Sequence, residues 1–230
     1  MSSPKYNRTF HMPWSPGGTN DDKRAASVNS LIGKPIILTE KIDGSNTSLE
    51  CDGCFARTHA GPPTHKSFDQ LKVLSAQIKS MNILPAGQQY FGEWCYALHS
   101  IAYSELPSYF LLFGIRDFYI SADTKWYSWD FVETQAKAFK AIGIDINTVP
   151  VLFKGTVSSE KELKDLVESL MEQPSCCGGI REGVVARIAG EFLDKDFSSC
   201  VMKCVRKNHV NPDNDHWLHK DIVKNFLCKK

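Results

Sequence analysis

Two rhythms of apolar residues alternate along the chain. Phe68, Leu71, Leu74 and Ile78 recur at helical spacing and predict a helix over Phe68 to Met81. Trp129 to Ile142 repeats that period and is closed by Gly143. Ser159 to Met171 places Leu163, Leu166, Val167 and Leu170 on one face, with Ser158 or Ser159 able to cap it. Asp221 to Leu227 reads as a short terminal helix. Between these lie short apolar or aromatic runs that read as strands: Pro35 to Glu40, Thr47 to Glu50, Cys54 to Thr58, Tyr90 to Tyr96 and Tyr109 to Phe118. Val149 to Phe153, Glu182 to Ile188 and Cys200 to Val205 complete the set. Asp52-Gly53 is the turn signal of a hairpin, and Lys41 to Asn46 reads as a loop. Strands and helices mix without regular βαβ alternation, so the class is α+β. Residues 1–34 form a turn-rich lead-in, with Pro, Gly, Asn and Asp concentrated in Pro13 to Lys23. The expectation is one domain over 1–230, since the stretches before Lys41 and after Lys203 are too short for an accessory domain.

Composition narrows this only slightly. The chain has 230 residues, of which 42% are hydrophobic, enough for one compact core. Acids and bases nearly cancel, to a net charge of +1, so any nucleic-acid contact has to come from a local basic groove. No apolar run spans a bilayer and no signal-peptide core opens the chain, which reads as an intracellular, by default cytoplasmic, protein without a membrane. The eight cysteines suit reduced packing thiols in that setting. Cys51 and Cys54 are spaced as a CxxC pair, but they flank a hairpin turn, and the adjacent Cys176-Cys177 is not the usual second half of a zinc site. His59, His65, His99 and His209 match no zinc spacing and read as scattered polar or packing residues.

Chemistry concentrates in Glu40-Lys41-Ile42-Asp43-Gly44-Ser45-Asn46, where a lysine leaves a strand for a glycine-containing turn with a carboxylate two residues on. A lysine with a pKa near 10.4 is a poor nucleophile at neutral pH until desolvation or positive charge exposes its lone pair. Asp43 suits a metal-water partner, and Gly44 suits close approach of a phosphate or ribose. These few residues also fit a surface turn. Further segments then follow in order: Gly92-Glu93-Trp94, the aromatic strand Phe110 to Gly114, Arg181-Glu182-Gly183-Val184-Val185, and the basic strand Val201 to Lys207.

That order and content resemble the covalent nucleotidyltransferase superfamily of DNA and RNA ligases and capping enzymes. Within it the chain is most similar to ATP-dependent RNA ligases of the small, stand-alone type. EKIDGSN, GEWCYALHSIAY, ELPSYFLLFGIRD and KCVRKNHVNPDNDHW carry the likeness, and PWSPGGTNDDK extends it to the lead-in. The resemblance implies the ligase adenylation fold: antiparallel sheets flanked by helices with the ATP site between them. It implies that Lys41 attacks the α-phosphate of ATP to form lysyl-AMP. Asp43 and Glu182 would hold Mg²⁺, or Mn²⁺, through its water shell. Arg57 would contact ribose or phosphate, and Glu93 the ribose hydroxyls or metal waters. Phe113 and Val185 would sandwich the adenine, Glu40 would join the ATP site, Lys203 would grip the α-phosphate, and Asn46 would touch the nucleic-acid end. Many ligases end their last motif with Lys-x-Lys; here Val205 stands in the second position, leaving Arg206 as the candidate for a second basic role. The implied activity joins 3′-hydroxyl and 5′-phosphate ends of nicked or broken RNA, in RNA repair, with an accessory protein or an oligomer supplementing substrate engagement. A DNA ligase, a guanylyltransferase and a nucleic-acid-binding pseudoenzyme are the alternatives. The intact set of Lys41, Asp43, Glu93, Glu182 and Lys203 argues against the last.

Overall fold

The computed structural model describes residues 4–18, 22–57, 61–118, 124–207 and 222–229. In chain order the strands are β1 (Phe10–His11), β2 (Pro35–Lys41), β3 (Ser45–Glu50), β4 (Gly53–Ala56), β5 (Gln88–Trp94) and β6 (Phe110–Asp117). There follow β7 (Lys125–Trp126), β8 (Ile146–Thr148), β9 (Val151–Thr156), β10 (Gly183–Ile188), β11 (Phe192–Leu193) and β12 (Val201–Val205). The helices are α1 (Asp69–Met81), α2 (Trp129–Ala141), α3 (Glu160–Glu172) and the single turn α4 (Phe197–Cys200).

Two sheets face each other. One runs in the order β1-β12-β10-β2-β9, with β1 parallel to β12 and the other pairs antiparallel. The second runs β11-β7-β6-β5-β3-β4, with β8 pairing in parallel to β6. Strand alternation decides what each face of the first sheet does. Ile36 and Leu38 on β2, Val184 and Ala186 on β10, and Met202 and Cys204 on β12 pack beneath Leu163, Val167 and Leu170 of α3. The residues between them, including Lys41, Val185 and Lys203, face the second sheet. There a larger core joins Leu49, Tyr90, Leu111 and Ile115 to α1 and α2.

The three long helices fall where the periodicity placed them, within a residue or two at each end. Ser159 caps α3: its hydroxyl accepts from Glu162 N at 3.2 Å, while the Glu162 carboxylate accepts from Ser158 N at 2.8 Å. Ser128 caps α2 through Phe131 N, and Gly143 follows it at φ 81°. Asp52-Gly53 does turn the β3–β4 hairpin. The two-residue strands β1, β7 and β11 are too short to carry a period, and the sequence gives no signal for them.

Two expectations need correction. Residues 45 and 46 belong to β3, because Ser45 and Asn46 pair with Trp94 and Glu93 of β5. The terminal helix does not form over 222–227, and Asp221 lies outside the described residues. This segment is extended, with bridges from Lys224 to Ala97 and from Leu227 to Leu106. Buried Asn225 is the reason: its side chain accepts from Tyr103 N at 2.9 Å and donates to Cys95 O at 2.9 Å and Ala97 O at 3.3 Å. Three backbone groups of a buried loop are satisfied this way, which outweighs a weak helical pattern.

Candidate active site

A cavity of about 640 Å³ opens between the two sheets. Its wall includes Thr39, Glu40 and Lys41 from β2, Ser45 and Asn46 from β3, Glu93 from β5 and Phe113 from β6. Val185 and Arg187 of β10, Val201 and Lys203 of β12, Arg57, and the lead-in residues Tyr6 to Thr9 and Asp22 also line it. The register explains the convergence. Lys41 lies opposite Gly183, and Val185 is flanked by Thr39 on one side and Lys203 on the other, so alternate residues of three strands share one face. Gly183 is required because a Cβ there would lie 2.3 Å from Cys204 O.

Lys41 Nζ donates to both carboxylate oxygens of Glu182, at 2.6 and 2.7 Å. Burial acts to lower the lysine pKa, but Glu182, Glu93 and Asp43 outweigh it and hold the pKa above its ordinary value. Lys41 is therefore a protonated, paired ammonium at rest. Burial raises the Glu93 carboxyl to about 8; Lys41 opposes this, and the like charges of Glu182 and Asp43 add to it. Across the cavity Lys203 Nζ sits 3.4 Å from Asp22 Oδ1, and burial lowers its pKa.

Asp43 is not on the cavity wall. Its Oδ2 accepts from Ser100 N at 2.7 Å and Ile101 N at 3.0 Å, while its own N–H donates to Tyr103 Oη at 2.8 Å. It braces the turn after Lys41 and acts on the site through its charge. Gly44 faces the cavity, but its need for glycine comes from packing: a Cβ there would meet Trp94 O at 2.8 Å. Glu182 lies behind Lys41 and is buried. Glu40, one residue from Lys41 and so on the opposite side of β2, turns its carboxylate to Cys176 N at 2.9 Å and Arg181 Nε at 3.6 Å. Asn46 keeps a buried Oδ1 without a hydrogen-bond partner among the described residues.

Arg206, too, lies off the cavity wall, and unlike those of Asp43 and Glu182, its bonds to backbone carbonyls reach neither the Lys41 ammonium nor the turn after it. It donates from Nε to Arg181 O at 3.2 Å and from Nη2 to Met171 O at 2.6 Å, strapping the end of α3 to the loop before β10. Val205, in the second motif position, is buried. No second cation follows Lys203 into the cavity from this strand.

Sequence reasoning missed Arg187, Tyr6 and Asp22. Arg187 is buried, donates to Phe113 O, and lies over the Trp129 ring at 5.2 Å; burial pushes its pKa down to about 10. Its parity with Val185 was the available signal. Tyr6 packs edge-on against Phe113, centroids 5.2 Å apart, and nothing local in the sequence points to it. The eight cysteines are all free thiols, and most of them pack in or beside the cores.

No helix among the described residues is long and apolar enough to cross a membrane. Comparison with curated proteins returns no match. Among solved structures, a mutant Naegleria gruberi RNA ligase in its apo form superposes with a TM-score of 0.53 at 17% identity, covering 77% of this chain and 51% of that one. Another mutant of that ligase, with ATP and Mn, gives 0.54 at 14% identity over 88% of this chain and 60% of that one. A third, with AMP and Mn, gives 0.53 at 15% identity, over 88% and 61%. The chain thus spans roughly half to three-fifths of the length of these structures. The two-sheet α+β architecture is the nucleotidyltransferase fold expected from the sequence. The RNA ligase family model matches residues 34–205, the segment that carries Lys41, Glu93, Phe113, Glu182 and Lys203, and the chain belongs to that family.

Proposed function

We propose that the chain is the adenylation domain of an ATP-dependent RNA ligase. One observation carries this reading: the Lys41 ammonium is clamped by Glu182 at the wall of a cavity that Lys203 also enters. Lys41 Nζ, once deprotonated, attacks the α-phosphorus of ATP; a P–N bond forms and the P–O bond to pyrophosphate breaks. Lys203 gathers negative charge on the α-phosphate and the departing pyrophosphate. The AMP then passes to a 5′-phosphate of RNA, and attack by a 3′-hydroxyl seals the strand and expels AMP. Phe113 and Val185 hold the adenine, Arg57 and Glu93 the ribose and phosphate, and Asn46 meets the nucleic-acid end with its Oδ1. Glu40 contributes the backbone of the wall.

Among the described residues no cluster of three or more His, Cys, Asp and Glu forms a ready-made metal cage. The acids present fit a hydrated ion that arrives with the triphosphate. The charges of Glu182 and Asp43 act on a single lysine, and burial, aided by those like charges and opposed by Lys41, holds the Glu93 carboxyl protonated near neutral pH. Magnesium or manganese would supply positive charge there, with Glu93 a carboxyl on the cavity wall. Asp43 is committed to backbone N–H groups and Glu182 to Lys41, so each reaches the ion's water shell only if those contacts open. A structural neighbour, the Naegleria gruberi RNA ligase mutant with ATP and Mn, shows the same pairing of nucleotide and metal. The substrate class is RNA with nicked or broken ends, and an accessory protein or a second copy would extend the contact. The setting is the cell interior.

The test mixes purified protein with Mg²⁺ and ATP radiolabelled at the α-phosphate and reads label on a denaturing gel, with Lys41→Ala alongside. Label on the wild type alone supports the reading. A wild type with neither label nor prebound AMP by mass analysis overturns it. Nicked RNA, nicked DNA and GTP offered in parallel separate an RNA ligase from its relatives.

A further inference from the structure

The lead-in lies outside the segment matched by the family model, yet it places an acid where phosphate is expected. Asp22 lines the cavity and stands between two partners. Its Oδ1 is 3.4 Å from Lys203 Nζ, and its Oδ2 is 3.4 Å from His11 Nε2. Neither contact is a short ion pair, and the two partners reach different oxygens of the same carboxylate. His11 is buried, and among the described residues its Nε2 has no hydrogen-bond partner within bonding geometry. Its other nitrogen is fixed: Nδ1 lies 2.8 Å from Ser15 Oγ, which in turn accepts from Val205 N at 3.0 Å. With Ser15 donating its hydroxyl proton to Nδ1, the imidazole proton sits on Nε2 and points at Asp22.

The frame that holds these groups is rigid. His11 lies opposite Lys203 in the β1–β12 register. His11 N donates to Lys23 O and Ala25 N to His11 O, both at 2.8 Å, closing the base of the loop that bears Asp22. Arg24 Nη1 ties the loop further to Met12 O, Pro13 O and Ser15 O at 3.1, 3.0 and 2.8 Å. Gly17 N donates to Val205 O at 2.9 Å. Such a fastened acid beside a phosphate-gripping lysine is unfavourable unless it has somewhere to go when phosphate arrives.

We propose that Asp22 is a positioning residue for Lys203: it holds the ammonium at the cavity wall, and His11 takes over the carboxylate when a phosphate takes the lysine. This inference rests on the proposed adenylation reaction. The charged groups facing Lys203 agree with it. Asp22 from the lead-in and Glu182 ahead of β10 favour its charge, while Lys41 from β2 opposes it, and His11 shares β1 with no charge of its own near neutral pH. Asp22 is the only one of these within contact distance of Nζ among the described residues.

The experiment compares wild type, Asp22→Asn and Asp22→Glu in single-turnover adenylylation, with thermal unfolding measured alongside. Asp22→Asn should lose about tenfold in kcat through a misplaced Lys203 without a higher KM for ATP, because repulsion of the triphosphate is also removed. Asp22→Glu should recover most of the rate. A raised KM with unchanged kcat, or equal losses in both variants with equally lowered melting temperature, would overturn the proposal. Adding His11→Asn to Asp22→Asn should cost no further rate, since both act through one carboxylate; additive losses would remove His11 from the handover. A second arm does not depend on activity. Competitive acylation of lysines in the ATP-free protein, read by mass spectrometry, should show Lys203 several-fold more reactive in Asp22→Asn with Lys41 unchanged; an unchanged Lys203 would refute the contact. A wild type that labels with AMP while Asp22→Asn matches it rejects this inference alone; a wild type that never labels rejects the adenylation reading, and the acylation arm then still decides the Asp22–Lys203 contact.

Discussion

Lys41 Nζ sits almost equidistant from the two oxygens of Glu182, at 2.6 and 2.7 Å, so one carboxylate caps the whole ammonium. This pair is the resting lock of the site. The same acid that holds the lysine in the cavity also keeps it protonated, and a nucleophilic lysine must be neutral.

Removing either partner should therefore have different consequences. Lys41→Ala should abolish AMP labelling. Glu182→Ala should slow adenylylation by about a hundredfold or more, as loss of an oriented polar contact at a reacting centre does. A labelled Lys41→Ala protein, or a Glu182→Ala protein at the wild-type rate, would contradict these roles.

Glu93 gives a prediction in pH. Its native pKa of about 8 lies above the ordinary 4.5, so the folded state holds an extra proton between those values. Stability from that proton is present at lower pH and is lost as pH rises toward and through about 8. The wild-type melting temperature should fall between about pH 4.5 and about pH 8 and level off above that, and Glu93→Gln should flatten that slope and exceed the wild type at the alkaline end. Parallel melting curves across this range would show that Glu93 is ionised throughout.

Phe113 should matter for nucleotide affinity more than for chemistry. Base stacking on an aromatic ring contributes about 1–3 kcal/mol, so Phe113→Ala should raise the KM for ATP roughly tenfold with a smaller change in kcat. A falling kcat at constant KM would place the ring elsewhere in the reaction. Tyr6, packed on Phe113, should lose part of the same affinity when replaced by Leu.

Arg206 offers the reverse case. It straps Met171 O and Arg181 O outside the cavity, so Arg206→Ala should lower the melting temperature while leaving the KM for ATP near the wild-type value. An affinity loss without a stability loss would restore the role that its position after Lys203 suggested.

Asn225 anchors the terminal segment to the loop that braces Asp43. Asn225→Ala leaves three buried backbone groups without partners and should cost about 2–4 kcal/mol of stability, measured by chemical denaturation. A cost near zero would mean that water replaces the amide.

The local patterns of the sequence determined the elements and much of the site's inventory. Three helices follow from apolar spacing and serine caps, because those signals act within a few residues. Lys41, Glu93, Phe113, Val185 and Lys203 were named from the resemblance of their motifs to a ligase family, and strand alternation by itself would have left them as core or surface positions. Only the tertiary structure decided which faces meet. It set Glu182 against Lys41, 141 residues apart in the chain. It turned Arg206 away to α3 and drew 222–227 out as an extended strap on Asn225. It also brought Tyr6, Arg187 and Asp22 into the cavity. The physical reason is range: caps, turns and periodicity are energies between near neighbours, whereas a buried charge finds its partner only after the sheets have closed and water has left.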